Sequence, residues 1–234
     1  FGSGPGIFKN DSIAPHAVAK NAISVGASEN YRPVIGDPPA NSDNISELMP
    51  GSGQGPTDDN RVKPDIIAPG TEIFSTRSRI TVGPPNSNTT SCWKNQSIQY
   101  NLGPNYASCG GTSAATAHVA GLAALLHEYY KTHGVANPSA ALIKASLINS
   151  PMKMDYYSFP SNETGWGRVN ISKVLPSPSN NLYFKDVSPG LSTGQSSGCV
   201  IRITSGTPLK TTLVWSDKEA LVQAPITLVK DLNL

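Results

Sequence analysis

Long apolar runs are missing from this sequence. The longest uninterrupted one, Val119 to Leu126, falls far short of the roughly 20 residues a membrane-crossing helix needs, so no membrane span is expected. Charge is scarce as well: Asp, Glu, Lys and Arg make up 15% of the residues, against roughly 25% in an average soluble protein. A net charge of +2 with scattered Lys and Arg forms no basic stripe, which argues against nucleic acid as a partner. Cysteine occurs only at Cys92, Cys109 and Cys199, and none of these falls in a zinc-ligand spacing. No Asp-x-Asp-x-Asp-Gly loop is present, so no metal site is assigned and no cofactor is identifiable. No charged-then-apolar leader follows Phe1, so no targeting signal is read; the opening "FGSGPG" leads us to expect a piece of a longer protein.

What is abundant is turn material, with 21 glycines and 20 prolines in 234 residues. Such a chain is long enough for one large domain, or for one and a half smaller ones. The pattern Asn-x-Ser/Thr occurs at Asn10, Asn44, Asn88, Asn95, Asn162 and Asn170, the acceptor signal for N-glycosylation. Its density leads to the expectation of a secreted, extracellular glycoprotein of a eukaryotic secretory pathway. Cys92 and Cys109 are spaced to close a loop, which leaves Cys199 for a partner outside the chain or as a buried thiol.

Along the chain, "NAISVGASEN" (21–30) has the short β-branched run of a buried strand, and 31–60 is turn-rich. In "KPDIIAPGTEIFST" (63–76) Ile66, Ile67 and Ala68 read as a second short strand, broken by Pro69-Gly70. A polar loop spans 81–106. From Ser113 to Tyr130 there is no proline and one glycine, and apolar residues cover nearly the whole circumference, so a helix buried all round is expected there. A second helix is expected from Pro138 to about Asn149, with Pro138 in its first turn. From about Leu182 the segments "LYFKDV", "CVIRIT", "LKTTLVWSD" and "ITLVKDLNL" read as strands. The expected division is therefore an α/β domain over 1–180 and the start of a β-sandwich over 181–234.

The stretch "CGGTSAATAHVAG" (109–121) places Ser113 where a glycine turn opens into the long helix. A serine there is ordinarily an N-cap. Thr112 is available for that role, however, and a helix amino end offers unpaired N–H groups and partial positive charge. The Gly110-Gly111 pair leaves room for an approaching backbone. A hydroxyl nucleophile beside free amides is what acyl transfer requires.

"GTSAATAHVAG" resembles the serine motif of the subtilases, usually Gly-Thr-Ser-Met-Ala-Thr-Pro-His-Val-Ala-Gly, and "GGTSAA" is close to the version in the kexin branch. "APHAVAKNAISVGAS" (14–28), "GPTDDNRVKPDIIAPGTEIFST" (55–76) and "GWGRVN" (165–170) resemble further segments of that family, in family order, over residues 1 to about 175. "LKTTLVWSD" and "LVKDLNL" are similar to the C-terminal β-sandwich of certain alkaline subtilases. The resemblance implies a subtilisin-like three-layer α/β fold with a parallel sheet, here partial, followed by part of a β-sandwich. It implies hydrolysis of peptide bonds in a peptide or protein substrate by an Asp-His-Ser triad, with Ser113 as the nucleophile.

The chain departs from that pattern in two places. The segments resembling Asp-Thr-Gly and His-Gly-Thr-His are absent, and His16, His118, His127 and His133 are all read as structural. Gly2 falls where the family places an oxyanion-hole asparagine. The chain by itself is thus expected to be inactive, its missing N-terminal half supplying Asp and His; the alternative is an inactive subtilase-like module that binds peptides or proteins.

Overall fold

In the computed structural model, residues 10–32, 42–76, 105–175, 182–206 and 208–234 are described. Four strands and three helices follow in chain order: β1 (Val25–Ser28), β2 (Ile66–Pro69), β3 (Ile73–Thr76), β4 (Tyr106–Cys109), α1 (Thr112–Thr132), α2 (Ala140–Asn149) and α3 (Ile171–Val174). β1 and β2 run parallel, with Val25 opposite Ile66 and Ser28 opposite Pro69. On its other side β2 pairs with 167–169, Ile67 N donating to Gly167 O at 2.9 Å and Val169 N to Ile67 O at 2.8 Å. β2 is therefore flanked on both edges and its Ile66, Ile67 and Ala68 are fully buried, as expected for a strand inside a parallel sheet. β3 and β4 form a separate antiparallel pair, Ile73 opposite Cys109.

The side chain of Ile67 on β2 takes the space beside Gly26 of β1. A Cβ on Gly26 would lie 2.4 Å from Ile67 Cδ1, inside van der Waals contact. The entry to β1 is held by buried charge. Asp65 accepts from Lys63 Nζ at 2.6 Å, from Lys144 Nζ at 2.9 Å and from Ser24 N at 2.7 Å. Both ammonium groups also bond to carbonyls of the 19–22 turn, sharing Ala22 O. Burial pushes the Lys63 ammonium below its ordinary pKa, with the Asp65 carboxylate pulling the other way.

α1 packs across β1 and β2 through Ala115, Val119, Leu126 and Tyr130, which meet Val25, Ala27, Ile66 and Ala68 in the core with Leu142, Ile143 and Leu147 of α2 and Val174 of α3. Each of the larger side chains contributes about 1.5–3 kcal/mol by leaving water. Tyr130 brings a hydroxyl into that core, and Ser146 Oγ meets it at 2.6 Å. Since Ser146 Oγ donates to Leu142 O, the tyrosine is the donor in this pair.

Two expectations are corrected here. α1 is buried along one stripe rather than all round: Ala117, Ala120, Gly121 and Ala124 are exposed, and Leu125 is 58% exposed. A single layer of the described fold lies against it, so the opposite face meets no neighbour among the described residues. In α2, Pro138 lies before the helix instead of in its first turn; Ser139 is the N-cap, its Oγ accepting from Leu142 N at 3.0 Å.

The described residues of 182–234 form no strand or helix, although their composition reads as strand. Apolar side chains such as Val200, Leu221 and Val222 are left exposed. A strand exists only through hydrogen bonds to a neighbour, and these segments find none among the described residues. They lie instead against the preceding residues: Asp186 accepts from Ser139 N and Oγ, Phe184 packs edge-on to Tyr130, and Asp217 pairs with Lys20 at 2.7 Å. No helix in the described residues is long and apolar enough to cross a membrane.

Candidate active site

β4 ends at Cys109, two glycines follow, and α1 begins at Thr112. This joint is pinned to the end of β2, Gly111 N donating to Gly70 O at 2.6 Å. A Cβ on Gly110 would come within 3.0 Å of the same Gly70 oxygen. Gly111 has φ 120° and ψ 167°, a region essentially confined to glycine. The glycine pair is therefore required by the backbone itself, a reason beyond the room it leaves for a ligand.

No side chain caps α1. Thr112, expected to serve as cap, is the first helical residue and is buried, and the N-cap is Gly111. Ala114 N and Ala115 N donate to Gly111 O at 3.1 and 3.3 Å. The amides of Thr112 and Ser113 find no acceptor among the described residues. Ser113 itself is exposed, and its hydroxyl makes no hydrogen bond among the described residues. An open hydroxyl thus stands beside a free amide at the positive end of a helix 21 residues long.

None of the four histidines reaches Ser113. His118 Nδ1 lies 3.2 Å from Pro69 O, fastening the helix to the end of β2. His133 caps the far end of α1, stacked on Tyr129. His127 is about 21 Å along the helix from Ser113 at about 1.5 Å per residue, and His16 sits in the short turn Pro15–Ala17. No described residue supplies a base to the serine. Gly2 lies outside the described residues.

Two contacts of this region carry no sequence signal. Ser108 Oγ donates to Glu72 Oε2 at 2.6 Å, bracing β4 just ahead of the glycine pair; Glu72 has φ 46°, a turn position that nothing in its type announces. Glu29, immediately after β1, is buried, and desolvation pushes its carboxyl above the ordinary range, against donation from the backbone amides of Asn44 and Asp43. Cys109 is disulfide-bonded, and Cys92 lies outside the described residues. Cys199 is free and exposed, which corrects its reading as a buried thiol.

A buried parallel strand pair thus lies beneath a helix whose glycine-capped amino end presents an exposed serine. Comparison with known proteins is more specific. Residues 2–167 match the model of the subtilase family, peptidase S8, and the chain belongs to that family of serine proteases. It is similar to the serine protease/ABC transporter B family protein tagA of Dictyostelium discoideum, 31% identical over 93% of this chain and 13% of that protein. It is 35% identical to the serine protease AprX of Bacillus subtilis over 74% of this chain and 33% of that protein. The crystal structure of a lanthipeptide protease has the same fold at a TM-score of 0.52 and 20% identity, covering 74% of this chain and 48% of that one. The chain spans about an eighth to a third of the length of these two sequence relatives.

Proposed function

We propose that this chain carries the nucleophile of a subtilisin-type serine endopeptidase, with the Asp and His of its triad in an N-terminal half outside the sequence. The observation that carries this reading is the open, unbonded hydroxyl of Ser113 at the glycine-capped start of α1. With a histidine brought to it, Ser113 Oγ attacks the scissile carbonyl carbon while the imidazole takes its proton. The Ser113 amide donates to the developing oxyanion, collapse breaks the C–N bond, and the amine leaves with the proton from the histidine. Water then hydrolyses the ester. Without that base Ser113 is an ordinary alcohol, so the 234-residue chain alone is inactive. A fluorophosphonate probe applied to the full-length protein tests this: an adduct on Ser113 is expected, and a folded protein that forms none overturns the assignment.

A second reading, an inactive subtilase-like module that binds peptides, is favoured by the distance of every histidine from Ser113. The upstream coding sequence separates the two, because both triad segments in frame dispose of it. We also propose a secreted glycoprotein, on the density of acceptor sequons. The division at 180 stands as a proposal too, 181–234 becoming the edge of a β-sandwich once pairing strands are supplied from outside this chain.

A further inference from the structure

Six Asn-x-Ser/Thr sequons are not used by the proteolytic reading. Asn88 and Asn95 lie outside the described residues, and the other four differ in what their side-chain nitrogens do. The Nδ2 of Asn44 is committed twice, to Glu47 Oε1 at 2.9 Å and to Tyr156 Oη at 3.5 Å. Its Oδ1 accepts from Ser46 N, and the sequon hydroxyl of Ser46 is spent on Asp155 at 2.9 Å. Both polar groups of this sequon thus bind its loop to residues 155–156. A sugar on that nitrogen replaces one N–H and stands where Tyr156 or Glu47 now sits.

The remaining three differ at the nitrogen alone, since their sequon hydroxyls are bonded too: Ser12 Oγ accepts from Gln54 N, Thr164 Oγ1 meets Ser161 Oγ at 3.0 Å and Ser172 Oγ donates to Asn170 Oδ1. Asn10 is exposed, and its side chain has no partner among the described residues. Asn162 sits in the tight turn closed by Ser161 and Gly165, whose N–H groups donate to each other's carbonyls at 3.0 and 2.9 Å; its side chain is likewise unbonded among the described residues. Asn170 caps α3 through Oδ1, which accepts from Ser172 N at 3.1 Å and from Ser172 Oγ at 2.6 Å. That leaves its Nδ2 free among the described residues, and a glycosylated asparagine keeps its Oδ1, so the cap survives modification.

Two of these sites also converge in space. Asp11 N donates to Gly55 O at 3.0 Å and Gly55 N to Asn162 O at 2.9 Å, so Asn10 and Asn162 flank one glycine. Gly55 N also bonds to Lys63 O, whereas Gly70 O holds Gly111 beside the nucleophile. Lys63 precedes β2 and Gly70 follows it, so the two points lie at opposite ends of that strand.

We propose that Asn10, Asn162 and Asn170 carry N-linked glycans and that Asn44 does not, which rests on the secretory reading above. In the transfer the Nδ2–C1 bond forms, the C1–O bond of a polyisoprenyl diphosphate-linked oligosaccharide breaks, and one Nδ2 proton leaves with the diphosphate. Because transfer precedes complete folding, the folded arrangement acts by selection: chains modified at Asn44 lose one of its two Nδ2 contacts, to Glu47 or to Tyr156, and are withheld. The pair at Asn10 and Asn162 places its sugars at the end of β2 away from Ser113, leaving the nucleophile open to a polypeptide.

The test is site-resolved mass spectrometry of the full-length protein from its own cells, deglycosylated with peptide N-glycanase in heavy-oxygen water. Heavy aspartate at positions 10, 162 and 170 with unlabelled asparagine at 44 is expected. Asn10→Gln, Asn162→Gln and Asn170→Gln each speed electrophoretic migration by one glycan, and Asn44→Gln leaves it unchanged. Label at Asn44, or label confined to Asn88 and Asn95, overturns this assignment while leaving secretion standing. A protein labelled at no sequon overturns the secretory reading and the assignment together.

Discussion

Gly111 shows how much of the site resides in a single residue. At φ 120° and ψ 167° any side chain is strained by about 1–3 kcal/mol, and relief comes by turning the peptide that carries the Thr112 amide, which shifts the helix start and the Ser113 amide with it. Gly111→Ala is therefore expected to lower stability by about 1–3 kcal/mol, read from the denaturant midpoint. Probe labelling of Ser113 in the full-length protein falls far more steeply, because a displacement of the order of 1 Å costs about a hundredfold. Labelling at the wild-type rate would show that the oxyanion donors do not depend on this backbone. Ser113→Ala has the opposite signature: turnover falls by about a millionfold with the denaturant midpoint unchanged, since the exposed hydroxyl bonds to nothing in the described fold.

At the scale of the elements, α1 divides into a face that packs on the core and a face around Leu125 that meets nothing among the described residues. Leu126 is fully buried and its neighbour Leu125 is 58% exposed. Leu126→Ala is expected to cost about 2–5 kcal/mol, and Leu125→Ala in the 234-residue chain no more than about 0.5 kcal/mol. In the full-length protein the proposed N-terminal half covers the outer face, and Leu125→Ala then costs several times more; urea titrations of the four proteins check it. Equal, small effects of Leu125→Ala in both backgrounds would remove the support this face gives to a missing half. The same contrast explains what was legible in the sequence. β1, β2 and the start of α1 were readable because short β-branched runs and the glycine pair carry local signals. The all-round burial of α1 was misread because alanine fits an inner or an outer face equally well. Thr112 was misread as the cap because the conformation of Gly111 leaves a backbone, not a side chain, at that position. The anchor from His118 to Pro69 O joins residues 49 apart and the cluster around Asp65 joins three segments, so neither has a local pattern to read. That cluster is nonetheless open to test: Asp65→Asn leaves Lys63 and Lys144 without their shared anion, for an expected loss of about 3–5 kcal/mol.

At the scale of the whole molecule, the question is how residues 182–234 stay on the body without a strand among those described. Their strand-length segments between Gly, Pro and Ser read as strands, yet composition only prepares a segment for pairing, and no pairing edge is present for them among the described residues. Beside the contact of Phe184 with Tyr130, what holds them is polar. Asp217 accepts from Lys20 Nζ, from Val229 N at 2.9 Å and from Lys230 N at 2.8 Å, and Asn21 exchanges hydrogen bonds with its backbone. Lys20 Nζ also donates to Lys218 O, and Asp59 accepts from Thr227 N and Oγ1. The Lys20 ammonium, helped by the Val229 amide, lowers the Asp217 carboxyl from 3.8 to about 2. Burial works to raise Asp59, but hydrogen bonds from Arg61, Thr227 and Thr57 outweigh it and hold that carboxyl well below the ordinary range. Release takes the Lys20 ammonium from Asp217 and the Thr227 donors from Asp59, so both carboxyls bind protons more tightly once the segment is free. Their contribution is therefore complete above the ordinary carboxylate pKa and is lost as pH falls from 3.8 toward about 2. The segment should detach in that window ahead of the apolar packing of α1 on β1 and β2. Trp215, whose indole N–H donates to Lys230 O at 3.0 Å, lies within the segment, and its fluorescence together with protease nicking after 181 follows the release. Asp217→Asn should loosen the segment already at neutral pH and flatten the acid transition. A transition of unchanged midpoint and amplitude in that variant would place the hold on the apolar contact of Phe184 with Tyr130 rather than on the carboxylates.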